Sequence, residues 1–179
     1  MSDYPPGSIE DRKMMAEMPR ENLLDYFFLQ IRNLWRVDGL YFLGIEEKFG
    51  TEAATEIDAK VWQIMAQIEA KSLRRMFQIG KNADIPAIMN LLRKSSWALD
   101  QPFKTLEISD KKAILSIDRC RTQMARLKKG LNEFPCKKVR FGYLKNFAKT
   151  LNPKMKVKCI VCPPDKHPSN LWCKWEFRL

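Results

Sequence analysis

Apolar side chains recur at helical spacing through the first half of the chain. One set follows Pro19, a residue that suits the first turn of a helix, and runs to Phe49. Gly50 is a good C-terminal stop, and the next set predicts the longest helix, from about residue 52 to residue 78. Its predicted buried side chains are Ile57, Val61, Trp62, Ile64, Met65, Ile68, Leu73, Met76 and Phe77. A shorter helix is predicted after Asp84, which has the side chain of an N-cap.

The pattern changes to an alternation with period two after Pro102. The predicted elements are strands at 103–108 and 112–119, helices at about 121–129 and 137–150, and strands at 155–162 and 171–179. Consecutive strands joined by short polar loops predict antiparallel hairpins. The predicted fold class is therefore α+β, with an N-terminal helical bundle followed by a roughly four-stranded antiparallel sheet with two packed helices.

The charge distribution divides the chain near Asp100. Residues 1–99 carry 13 Lys and Arg against 14 Asp and Glu, whereas residues 100–179 carry 19 against 7. We therefore expect a helical half at 19–100 and an α+β half at 101–179, forming one compact unit. Residues 1–18 are polar and are predicted to be a flexible N-terminus with at most one short helical turn.

Composition narrows the class of protein. Apolar residues make up 45% of the 179 residues, which is enough for a sizeable core and argues against disorder. The N-terminus lacks a signal pattern, and no apolar run approaches the ~18 residues that span a membrane. A cytosolic location without a membrane partner is expected. The five cysteines are then expected to be free thiols or metal ligands rather than disulfides.

The basic half suggests an anionic partner. Arg119, Arg121 and Arg126 are candidate ligand-binding residues, because a guanidinium binds a carboxylate through two parallel hydrogen bonds. Basic residues near aromatic ones also suit single-stranded nucleic acid. Most of those aromatic residues fit core positions, however, so a small anionic molecule is at least as good an interpretation. Taken singly, each arginine is more simply explained as a solvated charge.

The last twenty-one residues, Cys159 to Leu179, hold three cysteines and the single histidine. Cys159 and Cys162 have the CxxC spacing of zinc and redox sites, but positions three apart on a strand point to opposite faces. That alternation predicts Cys159 and Cys173 on the inward face and Cys162 on the outward face. A broader set of candidate metal ligands, which would suit zinc, is Cys120, Cys159, Cys162, Cys173 and His167. The favoured alternative is that these cysteines are small apolar core residues.

Four carboxylates of the helical half are candidate acid–base catalysts: Glu46, Glu47, Asp58 and Glu69. Asp58, Trp62 and Glu69 fall on one helical face, so Trp62 is a further candidate ligand-binding residue. The simpler explanation is that these carboxylates are solvated or lie near helix N-termini. No glycine-rich phosphate loop and no Rossmann fingerprint occur in the sequence.

Several stretches resemble an uncharacterised prokaryotic family of cytosolic proteins. They are DGLYFLGIEEKFG (Asp38–Gly50), the spacing of Asp58, Trp62 and Glu69, CRTQMARLKKGLNEFPCK (Cys120–Lys137), and CPPDKHPSNLWCKWEF (Cys162–Phe177). That family is similar to L-2-amino-thiazoline-4-carboxylic acid hydrolase and, more remotely, to the vinyl-reductase-type and haem-NO-binding-like fold. The resemblance implies helices followed by an antiparallel sheet with cysteines near its C-terminal end.

The favoured functional interpretation is a protein that binds a small anionic ligand between its two halves, beside a cysteine-rich site that would suit zinc. One alternative is a hydrolase of a cyclic C–N bond, as the resemblance implies. In that case a metal-bound or carboxylate-activated water would attack the ring. The other alternative is a regulatory or nucleic-acid-binding module that uses the basic half.

Overall fold

The computed structural model describes residues 7–179, and the predicted α+β class is confirmed. In chain order its elements are α1 (Ile9–Glu17), α2 (Arg20–Met76), α3 (Ile85–Leu92), α4 (Ser96–Leu99), β1 (Lys104–Ile108), β2 (Lys112–Ile117), α5 (Arg121–Lys128), α6 (Cys136–Leu151), β3 (Lys156–Val161) and β4 (Cys173–Arg178). Within the described residues, no helix combines the length and the apolar character needed to cross a membrane.

A helix occupies part of the segment 1–18 that was predicted to be a flexible N-terminus. Residues 1–6 of that segment lie outside the described part of the chain. Helix α1 follows, and it is longer than the single turn expected. A capping box explains its start: the Asp11 amide donates to Ser8 Oγ at 3.0 Å, and the Ser8 amide donates to Asp11 Oδ2 at 2.9 Å.

Helix α2 is a helical hairpin rather than one straight rod. Gly50 has φ +85° and ψ 164°, while the residues on both sides are helical. Asp38 and Trp62 are 24 residues apart, which would separate them by ~36 Å along a straight helix. The Trp62 Nε1 atom nevertheless donates to Asp38 Oδ1 at 2.9 Å. The chain therefore reverses at Gly50, and residues 20–49 (the N-terminal arm) pack against residues 51–76 (the C-terminal arm).

The buried face of the C-terminal arm differs from the predicted one. Ile57, Val61, Ile64 and Ile68 are between 43% and 61% exposed. The buried positions are instead mostly small: Ala54, Thr55, Ala59, Trp62, Ala66 and Ala70. Helices α2 and α6 share the most extensive contact between any two elements. Short side chains are favoured at this contact because they allow the two helices to approach closely. Periodicity alone could not identify this face, because apolar residues occupy both sides of the arm.

The four strands form one antiparallel sheet in the order β1-β2-β4-β3. Both predicted hairpin pairings are confirmed, and β4 pairs centrally with both β2 and β3. The inward face of β4 carries Cys173, Trp175 and Phe177, all buried, as alternation predicted. Together with the apolar residues of β2 and α6, they complete the core.

The prediction for Cys162 was wrong. Alternation assigned it to the outward face, but it is fully buried. A register shift occurs between Cys159 and Val161, and β3 ends at Val161. The shift and the strand end break the strict two-residue period, so Cys162 turns inward on the same side as Cys159.

Gly50→Ala should destabilise the fold, because φ +85° with ψ near 164° is a region that only glycine enters without strain. The expected loss is about 1–3 kcal/mol in the free energy of unfolding, measured by urea denaturation. Gly44→Ala is the matched control, since Gly44 lies within the N-terminal arm and an added Cβ meets no atom within 4 Å. That variant should be neutral or more stable by up to about 1 kcal/mol. Equal effects of the two substitutions would contradict the role assigned to Gly50.

Candidate functional site

A cavity of about 400 Å³ lies between α2 and the C-terminal half. Side chains from α2 that line it include Trp35, Asp38, Phe42, Asp58 and Trp62. Those from the remaining chain include Trp97, Gln101, Cys120, Arg121, Arg126, Phe134, Cys136, Arg140 and Cys173. Volumes of this order are typical of small-molecule sites. The cavity brings together Asp58, Trp62, Arg121, Arg126, Cys120 and Cys173 from the predicted site residues.

An aromatic stack forms one wall of the cavity. The rings of Trp35 and Trp62 are 4.4 Å apart between centroids and 10° from parallel. Trp35 comes from the N-terminal arm and Trp62 from the C-terminal arm, so the stack depends on the chain reversal at Gly50. Phe42 and Phe134 add an edge-to-face pair with centroids 4.8 Å apart. The wall is therefore apolar and flat, and its position is set by the packing of the hairpin.

Two carboxyl groups, Asp38 and Asp58, line the cavity beside Trp62. Burial and, to a smaller extent, repulsion from Asp38 together raise the pKa of Asp58 to about 7, against the attraction of Arg140. Burial also raises the pKa of Asp38, while the hydrogen bond from Trp62 and the charge of Arg140 oppose that rise. Near neutral pH, Asp58 is thus divided between its acid and its carboxylate, as a proton-transfer group should be.

Arg140 is a buried cation of the cavity and is only 4% exposed. The guanidinium carbon lies 4.4 Å from the ring centroid of Trp97, 5.0 Å from that of Tyr143 and 5.6 Å from that of Trp35. Its Nε and Nη1 atoms are buried and have no hydrogen-bond partner within residues 7–179. A buried donor without a partner costs about 1–3 kcal/mol, so Arg140 is the strongest anion-binding candidate.

Gln101 carries a buried hydrogen-bond acceptor, which complements the unpaired donors of Arg140. It is 2% exposed, lines the cavity, and its Oε1 atom has no hydrogen-bond partner among the described residues. Two residues that line the cavity therefore carry buried polar atoms without a partner among the described residues: donors on Arg140 and an acceptor on Gln101. Since native interiors rarely leave buried polar atoms unpaired, both residues are candidates for binding a polar group.

The predicted arginines have partners within the protein. Both oxygens of Glu46 accept from Arg126, at 2.8 Å and 2.9 Å. Arg121 donates to Asp100 at 2.8 Å. Arg119 does not line the cavity and lies over the ring of Phe103, 3.7 Å from its centroid. Although Arg121 and Arg126 reach the cavity, their charges are already neutralised.

The sequence interpretation missed Arg140, although a signal was present. Cys136, Arg140 and Leu144 are spaced by four residues on α6, and Leu144 is fully buried. Since residues four apart share a helix face, an arginine between two inward positions is a candidate for burial.

The predicted glutamates serve structural contacts or face solvent. Glu69 accepts from the Ser96 amide and from the Tyr143 hydroxyl, both at 2.6 Å, so it joins α2 to α4 and α6. Glu46 is held by Arg126. Glu47 is exposed. None of the three lines the cavity, and Asp58 is the predicted carboxylate that does.

A group of thiols adjoins the cavity. The Cys162 thiol is in hydrogen-bonding contact with the thiols of Cys136, Cys159 and Cys173. The Lys137 amide donates to Pro163 O at 2.8 Å, which ties the first turn of α6 to the residue after Cys162. Cys136 and Cys173 also line the cavity. Cys162 thus contacts three other thiols, of which Cys136 was not among the predicted metal ligands.

The thiols have different acidities. The hydrogen bond with Cys162 lowers the pKa of Cys136 to about 7, with burial opposing and Arg140 assisting. Cys162 also lowers the pKa of Cys159, whereas the same three contacts raise the pKa of Cys162 itself. Burial raises the pKa of Cys120 to about 12. Cys136 therefore becomes a thiolate more readily than Cys120 does.

His167, the remaining candidate metal ligand, is engaged elsewhere. Its ring centroid lies 4.7 Å from that of Trp172, and its Nε2 atom is 3.4 Å from Glu133 Oε1. Among the residues that the structure describes, no three His, Cys, Asp or Glu side chains are arranged to hold a metal ion. Zinc binding stays a prediction from the sequence.

Residues 16–179 match the model of a family of unknown function, DUF6125. The chain belongs to this family. The match spans both halves and therefore includes the whole cavity lining and the thiols. No curated protein matches the chain closely enough to show a relationship. The family match carries no link to the L-2-amino-thiazoline-4-carboxylic acid hydrolases.

Asp58→Asn should remove a pH dependence of stability. The pKa of Asp58 is about 7 in the folded protein and near 3.8 in the unfolded chain. The contribution of the protonated Asp58 to the free energy of unfolding is therefore complete below pH ~4 and is lost as the pH rises through about 7. Three pKa units correspond to about 4 kcal/mol. The variant should therefore match the wild type at pH 4 and exceed its free energy of unfolding by up to about 4 kcal/mol at pH 8.

Urea denaturation across pH 4–8 measures this difference, with Asp25→Asn, at an exposed position of α2, as the control. The control should change stability little and by the same amount at each pH. A constant difference between Asp58→Asn and the wild type would show that Asp58 has an ordinary acidity.

Proposed function

We propose that the cavity binds a small organic carboxylate, with Arg140 as the group that binds its anionic end. The observation that carries this proposal is the buried guanidinium whose Nε and Nη1 atoms lack partners in a cavity of about 400 Å³. A carboxylate carries the opposite charge and accepts charge-assisted hydrogen bonds from a guanidinium, so it matches the unpaired donors in charge and in hydrogen-bonding role.

The body of the ligand would lie against aromatic side chains. Trp35, Trp62 and Trp97 line the cavity, and the first two present a stacked pair. Flat or ring-shaped apolar groups pack well on such surfaces. A phosphate or sulfate would use the arginine but gain little from this wall, so an organic acid is the better fit.

The other end of the ligand would carry hydrogen-bond donors. Asp38, Asp58 and the unpaired Oε1 of Gln101 supply acceptors in the same cavity. Near neutral pH the charge of Arg140 is opposed by Asp38 and by a partly ionised Asp58. A molecule with a carboxylate at one end and an amino or amidino group at the other would satisfy both sets of groups.

Binding of paired compounds tests the role of Arg140. Small aromatic and heterocyclic carboxylic acids, each compared with its primary amide, should quench the tryptophan fluorescence only as acids. Arg140→Gln should weaken binding of the acids by about 10- to 100-fold, because it removes charge-assisted hydrogen bonds worth about 1.5–3 kcal/mol. Arg140→Lys should keep part of the affinity, since it retains the charge.

The matched control is Arg119→Gln, which removes an arginine that does not line the cavity. It should bind the acids as the wild type does. Circular dichroism of each variant separates lost binding from lost fold. Acids that bind Arg140→Gln as tightly as wild type, or amides that bind as tightly as acids, would exclude the proposed role.

Hydrolysis of a cyclic C–N bond is a second candidate, and the acidity of Asp58 favours it. An amidine that carries a carboxylate would place its cationic end at Asp38 and Asp58 and its anionic end at Arg140. The ionised form of Asp58 would take a proton from water while the water oxygen adds to the amidine carbon. The same proton would then pass to the ring nitrogen as the C–N bond breaks, and the added hydroxyl would become the carbonyl and release its proton to solvent.

The test substrate for this candidate is L-2-amino-thiazoline-4-carboxylate, with the ring-opened product measured by chromatography. Asp58→Asn should lower kcat by about 100-fold or more, the usual contribution of a general base. Glu47→Gln, at an exposed position outside the cavity, should keep wild-type activity. Absence of turnover by the wild type would reject the hydrolase and leave carboxylate binding to its own test.

A further inference from the structure

The thiols of Cys136 and Cys162 form a second chemical feature, separate from the carboxyl and guanidinium groups of the cavity. Cys136 begins α6 and lines the cavity, while Cys162 follows the last residue of β3 and is fully buried. The backbone hydrogen bond of 2.8 Å from Lys137 N to Pro163 O joins their chain neighbours. That backbone contact brings the two cysteines together, and their thiols interact directly, which makes them candidates for a disulfide.

We propose that Cys136 and Cys162 form a two-thiol site that reduces a small hydroperoxide and closes a disulfide. Cys136 is the attacking residue, because it is the member of the pair that reaches the cavity. Cys162 is the resolving residue, because it has no exposed surface from which to meet a peroxide. This proposal needs only access to the cavity and does not depend on carboxylate binding.

The surroundings of Cys136 favour a thiolate. Its sulfur lies at the N-terminus of a 16-residue helix, where backbone N–H groups stabilise negative charge. Arg140 follows one turn later on the same helix and also lines the cavity. Cys159 and Cys173 also contact Cys162, but Cys159 does not line the cavity, and neither cysteine begins a helix.

The reaction balances without another reactant. The Cys136 thiolate attacks one peroxide oxygen, an S–O bond forms, the O–O bond breaks, and the departing oxygen takes a proton to become an alcohol or water. The Cys162 sulfur then attacks the resulting sulfenic acid, an S–S bond forms, and the hydroxyl leaves with the Cys162 proton as water. Two thiols are oxidised and one hydroperoxide is reduced.

The test uses the reduced full-length chain in a buffer that contains a metal chelator, with one equivalent of hydrogen peroxide. The intact mass should fall by two hydrogens, the titratable thiols should fall from five to three, and peptide mapping should recover a Cys136–Cys162 disulfide. In Cys162→Ser, dimedone should label Cys136 as a sulfenic acid. Cys136→Ser should consume peroxide at least about tenfold more slowly.

Cys159→Ser is the control, because it removes a thiol that contacts Cys162 but does not line the cavity. It should react as the wild type does. A disulfide that maps to Cys159 and Cys162, or a Cys136→Ser variant that keeps the wild-type rate, would overturn the assignment. Peroxide consumption no faster than that of free glutathione would overturn the activity. Because labelling in Cys162→Ser is a separate readout, misfolding of Cys136→Ser alone would not obscure the result.

Discussion

The packing of the two arms of α2 is the constraint on which the remaining structure depends. A single residue with φ +85°, Gly50, reverses the chain, and the stacked rings of Trp35 and Trp62 hold the two arms together. The hydrogen bond from Trp62 to Asp38 crosses the same interface. Without this reversal neither the aromatic wall nor the pair of aspartates would exist, because each takes one member from each arm.

The second constraint is the close contact of α6 with the hairpin. Alanines on the C-terminal arm and Gly142 on α6 leave so little space that a Cβ at residue 142 would lie 2.7 Å from Gln63 Cγ. This contact carries Arg140 into the interior, over the ring of Trp97 and beside the aspartates. The helix also delivers Cys136 to the cavity wall. One element therefore supplies both Arg140 and Cys136 to the cavity.

Two of the arginines that line the cavity form ion pairs with carboxylates, whereas Arg140 forms none within residues 7–179. Arg121 and Arg126 each have a carboxylate partner at 2.8 Å, as buried cations usually do. Arg140 instead has aromatic faces around it and two aspartates within electrostatic reach, with two nitrogens left unpaired. Among the described residues, no carboxylate forms an ion pair with Arg140, which distinguishes it from the other two arginines.

Much of the architecture follows from local pattern. The helices, the two hairpins and the α+β class could be predicted because period and turn residues are short-range signals, and Gly50 was recognised as a helix stop for the same reason. The inward positions of Cys173 and Trp175 followed from strand alternation. Family membership, which extends from residue 16 to residue 179, is likewise a property of the sequence.

The tertiary structure decided which of those residues meet. Periodicity could not choose between the alanine face and the isoleucine face of the C-terminal arm, because the choice depends on how closely α6 approaches. Alternation placed Cys162 outward, since a register shift depends on the partner strand rather than on the local sequence. The meeting of Asp38, Asp58 and Arg140 could not be predicted either. Their proximity is produced by a chain reversal and a helix packing that join residues far apart in sequence, and burial there sets their charge states.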